Sequence, residues 1–138
     1  MGTDITLHIE VRDEVLKKWH HYAAPDIERH YEVFQKMAGI FGCERCNDGI
    51  VSRDRGMPSD ATVVTCRDWI SRGKPEVTWL SSHQVDELRR WYQDTFAGRF
   101  FETDFLRCYY FGHFWEVANL GDECHRMDDF RFVFWFCR

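Results

Sequence analysis

The amino-acid sequence predicts a single α+β domain over 1–138, in which a mixed or antiparallel β-sheet carries two to three helices packed mainly on one face. Two segments alternate apolar and polar residues and predict strands, because side chains along a strand alternate between the faces of a sheet. Apolar residues spaced by three and four between those segments predict helices. A chain of 138 residues is long enough to bury one core, so one domain is expected.

One strand is predicted over 130–137, with phenylalanine at every second position. Burial of each phenylalanine is worth roughly 1.5–3 kcal/mol, so helices are expected to cover this face. The second face carries Arg131, Val133, Trp135 and Cys137 and is also largely apolar. Because an edge strand of this composition would pair with other molecules, this strand is expected inside the sheet.

Another strand is predicted over 3–12, where apolar residues at the odd positions from Ile5 to Val11 alternate with polar residues at the even positions. The polar positions are expected to face water, which gives the sheet one wet face. The polar and aromatic stretch that follows predicts a hairpin partner strand over 18–23.

The segment 25–74 is predicted to hold one helix and one long loop. Apolar residues at spacings of four and three predict a helix over 25–38, which begins at a proline and ends before glycine. The stretch 43–60 is rich in turn residues and predicts a long surface loop, a kind of segment that often carries function. A short strand is predicted over 61–66, and 68–74 favours neither helix nor strand.

Two further helices are predicted in the second half of the chain. Ser81 and Gln84 form the pattern of a capping box, and the apolar spacing that follows continues to Gly98. A third helical segment over 103–120 is apolar almost all round, which is typical of a central helix or of one used for association. The stretch 121–129 is predicted as a polar loop into the final strand.

The charge and the apolar pattern of the chain exclude two classes of partner. A net charge of −5 and a pI near 5.8 argue against a broad nucleic-acid surface, which needs clustered Lys and Arg. No run of 18 apolar residues and no signal-peptide pattern occurs, so a cytoplasmic protein without a membrane partner is expected. In that reducing compartment the six cysteines are expected to be free thiols.

The polar side of the strand over 3–12 places Asp4, His8 and Glu10 in a row. Two carboxylates and an imidazole on one open face could bind a divalent metal or perform acid/base chemistry. The simpler interpretation of the same residues is the solvated side of an amphipathic strand, because alternation alone demands polar residues there.

The predicted surface loop offers two further groups that could bind a ligand. Arg53 and Arg55 could cradle an anion such as a nucleotide phosphate, or they could pair with nearby acids. Trp79 could stack on a base or belong to the core. Cys43 and Cys46 form a single C-x-x-C pair that lacks a suitable second pair of ligands for structural zinc.

Five short stretches, spread over nearly the whole chain, follow one another in a characteristic order. They are Gly2-Thr3-Asp4-Ile5, His30-Tyr31-Glu32-Val33-Phe34 before Ala38-Gly39, Arg55-Gly56-Met57-Pro58-Ser59-Asp60, Trp79-Leu80 and 130–136. In these stretches the chain resembles a family of small proteins encoded by bacteriophages and prophages. That family has a His directly after the Gly-x-Asp-Ile start, where this chain has Thr6. It also has a His-Ser-His-Ser run before Trp-Leu, where this chain has the residues 75–78.

The resemblance implies a viral protein in the host cytoplasm, and the missing histidines favour binding over catalysis. The first hypothesis is therefore a phage accessory protein that binds and inhibits a host defence component, either a CRISPR protein or a nucleotide-signalling system, with a host protein or a small anionic nucleotide as partner. It assigns no catalytic residue, no metal and no cofactor. The candidate binding residues are Asp4, His8, Glu10, Arg53, Arg55, Trp79, Arg131 and Trp135.

Two alternatives belong to other functional classes. A metal-dependent hydrolase or nuclease would use Asp4, His8 and Glu10. A phage structural or replication accessory protein would form a homodimer through the helix that is apolar almost all round. If strand 130–137 lies beside strand 3–11, Arg131 and Trp135 join Asp4 and His8 on one surface, which is the central geometric prediction.

Overall fold

The computed structural model describes residues 2–27, 29, 31–39, 49–96 and 129–137. Within these ranges the chain forms four strands and three helices. In chain order they are β1 Asp4–Asp13, β2 Lys18–Ala23, α1 Tyr31–Ala38, α2 Val63–Ser71, β3 Val77–Ser81, α3 Ser82–Phe96 and β4 Asp129–Cys137. The predictions for Cys43 and Cys46, for the helix over 103–120 and for the loop over 121–128 fall outside the described residues. No helix within those ranges is long and apolar enough to cross a bilayer.

The four strands form one antiparallel sheet in the order β2-β1-β4-β3, which confirms the predicted α+β class. β4 lies between β1 and β3, so the aromatic strand is internal as predicted. The predicted hairpin partner is β2, and Asp13 organises the turn because its carboxylate accepts hydrogen bonds from the backbone N–H groups of Val15 and Leu16.

The phenylalanine face of the sheet carries the main core, as predicted. Phe132 and Phe134 of β4 are fully buried, next to the apolar side chains of β1. α1 and α3 cover this face, with Phe34 of α1 packing against Phe136 at a ring-centroid distance of 5.2 Å. Leu88 of α3 belongs to the same buried cluster, so the burial of these aromatic side chains explains where both helices lie.

α1 begins at Tyr31, later than the predicted start at Pro25, and it ends where Gly39 takes a φ of 66°. Its final carbonyl groups are satisfied by another part of the chain. The backbone N–H of Ile50 donates to the carbonyl of Lys36 at 2.7 Å, and that of Val51 donates to Met37 at 3.2 Å. Residues 50 and 51, within the predicted surface loop, are therefore docked onto α1.

The capping box predicted at the start of α3 is present with both of its hydrogen bonds. The side chain of Gln84 accepts from the backbone N–H of Ser81 at 2.9 Å, and the hydroxyl of Ser81 accepts from the backbone N–H of Gln84 at 3.4 Å. The helix runs to Phe96, close to its predicted end.

The predicted strand over 61–66 is wrong, because this segment opens α2. The β-branched run from Thr62 to Thr65 suggested a strand, but Thr62 is an N-cap whose hydroxyl accepts from the backbone N–H of Thr65. Val63 and Val64 are exposed, and Thr65 is the buried residue of the helix. The ambiguous stretch 68–74 completes α2 and then turns.

The prediction of a wet face on β1 is wrong for His8 and Glu10, although Asp4 on the same side is exposed. The polar side of β1 belongs to the second face of the sheet, and α2 with the preceding residues 60–62 covers His8 and Glu10 there. As a result His8 is 3% exposed and Glu10 is fully buried. Alternation identified the side of the strand correctly, but it did not indicate that a helix would cover its polar residues with hydrogen-bonding groups.

Candidate functional site

β1 and β4 pair so that their non-phenylalanine sides form one continuous surface. Glu10 lies opposite Arg131, and Thr6 lies opposite Trp135, with His8 between them along β1. The predicted adjacency of the two strands is therefore confirmed. This second face has an apolar part, in which Trp135 packs with Val133 and Val77, and a charged part nearer to β2.

The charged part is centred on a buried ion pair. Arg131 Nε donates to Glu10 Oε1 at 2.8 Å. Glu10 Oε2 accepts from the Thr62 backbone N–H at 2.8 Å and from the Thr65 hydroxyl at 2.7 Å. Burial opposes ionisation of Glu10, but these hydrogen bonds outweigh it and hold the pKa of the carboxyl below its usual value. Glu10 thus stays ionised and anchors the start of α2 to the sheet.

Arg131 links this pair to the protein surface. Its Nη1 donates to Asp60 Oδ1 at 2.8 Å, and its Nη2 donates to the Asp60 carbonyl oxygen at 3.2 Å. Its guanidinium carbon lies 3.9 Å from the centroid of the Trp19 ring, in cation–π contact. One arginine therefore holds β1, β2, β4 and the segment before α2 in a fixed arrangement.

A second chain of hydrogen bonds, the Asp68–His8–His21 relay, runs from α2 through β1 to β2. His8 Nε2 lies 2.7 Å from Asp68 Oδ2, and His8 Nδ1 lies 2.9 Å from His21 Nε2. The His8 ring also packs on Trp135, with centroids 5.4 Å apart. Burial and the nearby His8 lower the pKa of His21, against the opposing attraction of Glu10 and Asp68.

An open cleft of about 490 Å³ lies between β2 and the start of α2. We call it the hairpin cleft. The relay reaches it at His21, and the ion pair reaches it through Asp60, which binds Arg131. Its lining residues are Lys17, Lys18, Trp19, His20, His21, Asp60, Ala61, Thr62, Val63 and Val64. Val63 is 64% exposed and Val64 is 50% exposed, so the mouth of the cleft is apolar. Lys17 and Lys18 add positive charge beside it.

The predicted site residues separate into two groups. His8, Glu10, Arg131 and Trp135 lie together on the second face. Asp4 lies apart, because its exposed carboxylate binds Arg29, with Nε 2.6 Å from Oδ1. The predicted row of three ligands therefore does not converge on one point. Across the described ranges, no group of three or more His, Cys, Asp or Glu side chains is placed to hold a metal ion.

The predicted anion cradle has partners within the chain. Arg53 forms an exposed ion pair with Glu76, at 3.3 Å between Nε and Oε1. Arg55 stacks over Trp79, with its guanidinium carbon 3.6 Å from the ring centroid. Its Nη1 also donates to the Trp79 carbonyl oxygen and to Gln84 Oε1. These contacts join the loop to the start of α3 and do not leave two guanidinium groups facing a common space.

Sequence reasoning missed several members of the site, namely Trp19, His21, Asp60, Thr62, Thr65 and Asp68. The pairing of β2 with β1 places Trp19 and His21 on the second face, and the predicted hairpin contained that information. Asp68 and the two threonines had no comparable signal, because α2 was predicted as a strand and an ambiguous segment.

Comparison of the chain with protein-family models, with curated protein sequences and with solved structures finds no match. The function is therefore inferred from the geometry of the site and from the resemblance in its short sequence stretches.

Proposed function

We propose that the protein is an accessory binding protein that captures a partner protein at the hairpin cleft. The observation that carries this proposal is the exposure of Val63 and Val64 beside Lys17 and Lys18, above a charge network that is satisfied internally. Exposed apolar side chains gain free energy when a partner covers them, at roughly 25 cal/mol per Å² of apolar area. Because the charge network beneath these side chains is already held by its own hydrogen bonds, less conformational entropy is lost when a partner binds.

The charges of the cleft favour an acidic partner segment. Among the described residues that line the cleft, Asp60 is the only carboxylate, and Arg131 already neutralises it. Lys17 is 66% exposed and lies 3.9 Å from Glu14, a separation at which a surface ion pair contributes little. The partner chemistry that fits is thus a peptide segment with an apolar side chain flanked by carboxylates.

The alternative of a metal-dependent hydrolase receives less support from the same geometry. Both oxygens of Glu10 accept hydrogen bonds from Arg131, Thr62 and Thr65, and the carboxylate is fully buried. A metal ion at Glu10 would have to displace these donors, which leaves buried polar groups unpaired at a cost of about 1–3 kcal/mol each.

The resemblance to phage-encoded proteins supports a host defence protein, such as a CRISPR or nucleotide-signalling component, as the partner to seek first. A small anionic nucleotide is the second partner class. Pull-down from bacterial lysate with the tagged protein, followed by native mass spectrometry of the captured complex, distinguishes the two. A homodimer, the third possibility, is identified by sedimentation of the purified chain.

The cleft is tested with the paired substitution Val63→Glu and Val64→Glu. Acidic residues are favourable in the first turn of a helix, so the variant is expected to keep α2 folded while repelling an acidic partner. Ile70→Glu is the matched control, because Ile70 is also exposed on α2 but does not line the cleft. The proposal expects at least a tenfold loss of affinity in the cleft variant alone. Equal affinity of the wild-type protein, the cleft variant and Ile70→Glu overturns the proposal. A pull-down that recovers neither a protein nor a nucleotide also overturns it.

A further inference from the structure

We infer that the relay makes His21 a hydrogen-bond acceptor in the hairpin cleft, so that its Nδ1 atom selects a partner group carrying an N–H or O–H. This inference rests on the proposed function, and it adds the chemistry that the partner must bring. Among the charged donors at the cleft, His21 would supply a neutral acceptor at a fixed position.

The direction of the relay follows from counting protons. Burial raises the pKa of Asp68, but hydrogen bonds from His8 and Arg72 outweigh that effect and keep its carboxyl ionised. An ionised carboxylate only accepts, so His8 Nε2 is the donor in the 2.7 Å hydrogen bond. In its neutral form the His8 imidazole carries a single N–H, so its Nδ1 is then an acceptor.

The same count of protons determines which nitrogen of His21 carries the proton. Because His8 Nδ1 accepts, His21 Nε2 must donate across the 2.9 Å contact between them. Neutral His21 then carries its lone pair on Nδ1. Among the described residues, no hydrogen bond is made to that atom, and His21 is half-buried along the cleft. The carboxylate at the other end strengthens this acceptor, as it does for metal-binding histidines held by a carboxylate.

The partner chemistry is correspondingly narrower. A backbone N–H, or a hydroxyl group next to an apolar side chain, can donate to His21 while its neighbours contact Val63 and Val64. A group that can only accept is disfavoured there, since two lone pairs would face each other.

The direction of the relay is measured directly by long-range proton–nitrogen NMR of the imidazole rings at pH 8, which reports the protonated nitrogen of each ring. The inference expects His8 and His21 both to carry their proton on Nε2. A proton on Nδ1 of His21 overturns it. This measurement uses the unmodified protein, so it does not depend on the folding of any variant.

Asp68→Asn is expected to reverse the relay. Arg72 Nε donates to Asp68 Oδ1 at 3.1 Å, so the amide oxygen of the substituted side chain would remain towards Arg72 and its NH₂ would face His8 Nε2. His8 would then carry its proton on Nδ1, and so would His21. Asp86→Asn is the matched control, because Asp86 also pairs with an arginine four residues later, Arg90 on α3. No reversal in Asp68→Asn overturns the inference.

Phenol and anisole test the acceptor itself, since both carry an apolar ring but only phenol has a hydroxyl proton to donate. Phenol is expected to change the nitrogen chemical shift of His21 Nδ1 in the wild-type protein and in Asp86→Asn. The change is expected to be at least fivefold smaller in Asp68→Asn. Equal perturbation by phenol and anisole overturns the inference. If the NMR and phenol experiments fail, the binding test with Val63→Glu and Val64→Glu still decides the proposed function. If that binding test fails, the NMR experiments still decide the direction of the relay, so the two proposals are tested separately.

Discussion

Arg131 and Glu10 are 121 residues apart in the chain, yet Arg131 Nε lies 2.8 Å from Glu10 Oε1, where β4 and β1 place the two residues opposite each other. The side chain of Arg131 is 6% exposed and that of Glu10 is 0% exposed. Such a pair fixes the register of the two strands, because a one-residue slip would bring Arg131 among the apolar side chains of the other face.

Arg131→Met is expected to destabilise the protein by about 3–5 kcal/mol, because it leaves the carboxylate of Glu10 buried without its charged partner. Urea unfolding measures the loss. Arg29→Met is the control, since it breaks the exposed pair with Asp4 and is expected to cost far less stability. Similar losses in the two variants would contradict a special role for the buried pair.

Stability is expected to fall in two stages as the pH is lowered. The pKa of His21 lies below its usual value of 6.5, so between those two values the unfolded chain binds more protons and the free energy of unfolding falls. The first stage therefore begins near pH 6.5 and is absent in His21→Gln. The second begins near pH 4.5, the usual pKa of a glutamic acid, because the pKa of Glu10 is also lowered. Urea unfolding at a series of pH values checks both stages, and a first stage that persists in His21→Gln would contradict the assignment.

Gly49→Ala is expected to cost about 1–3 kcal/mol, because the added methyl group meets backbone. An ideal Cβ at this position would lie 2.5 Å from the Gly39 nitrogen and 2.7 Å from the Ala38 carbonyl carbon. Relief of that clash moves the segment whose N–H groups donate to the last carbonyls of α1. Thermal unfolding measures the loss of stability. An unchanged midpoint would show that Gly49 lies farther from the end of α1 than these distances indicate.

Gln84→Ala is expected to destabilise α3 more than Ser81→Ala does. Loss of the Ser81 hydroxyl removes one arm of the capping box, at about 0.5–2 kcal/mol. Loss of the Gln84 side chain removes the other arm and also the acceptor for Arg55. Chemical denaturation of both variants decides the order, and a larger loss in Ser81→Ala would be inconsistent with this arrangement.

Most of the sheet could be predicted from the sequence, because strand alternation is a local pattern. β1 and β4 were recognised in this way, and the position of β4 inside the sheet followed from its two apolar faces. β2 was predicted from the polar and aromatic stretch that follows β1. The start of α3 was predicted correctly because Ser81 and Gln84 are a short-range signal with a physical cause.

The site was only partly predictable, because its defining contacts are long-range. The alternation that identified His8 and Glu10 gave them the wrong environment, since the cover comes from α2 and α2 resembles a strand in its first residues. The predicted hairpin was enough to place His21 on the second face, but its hydrogen bond to His8 could not be predicted from the residues around it.

α2 is held to the sheet by polar contacts from Glu10 and His8 and by the partly buried Trp69, and Thr65 is its one fully buried residue. Helices attached in this way open at a lower free energy than the strands beneath them. Amide hydrogens of α2 are therefore expected to exchange with deuterium well before those of β4 in native conditions. Equal exchange protection of the two elements would show that they unfold together. In each such opening the relay would lose Asp68, so the wall of the cleft and the orientation of its imidazole acceptor would disappear in the same event.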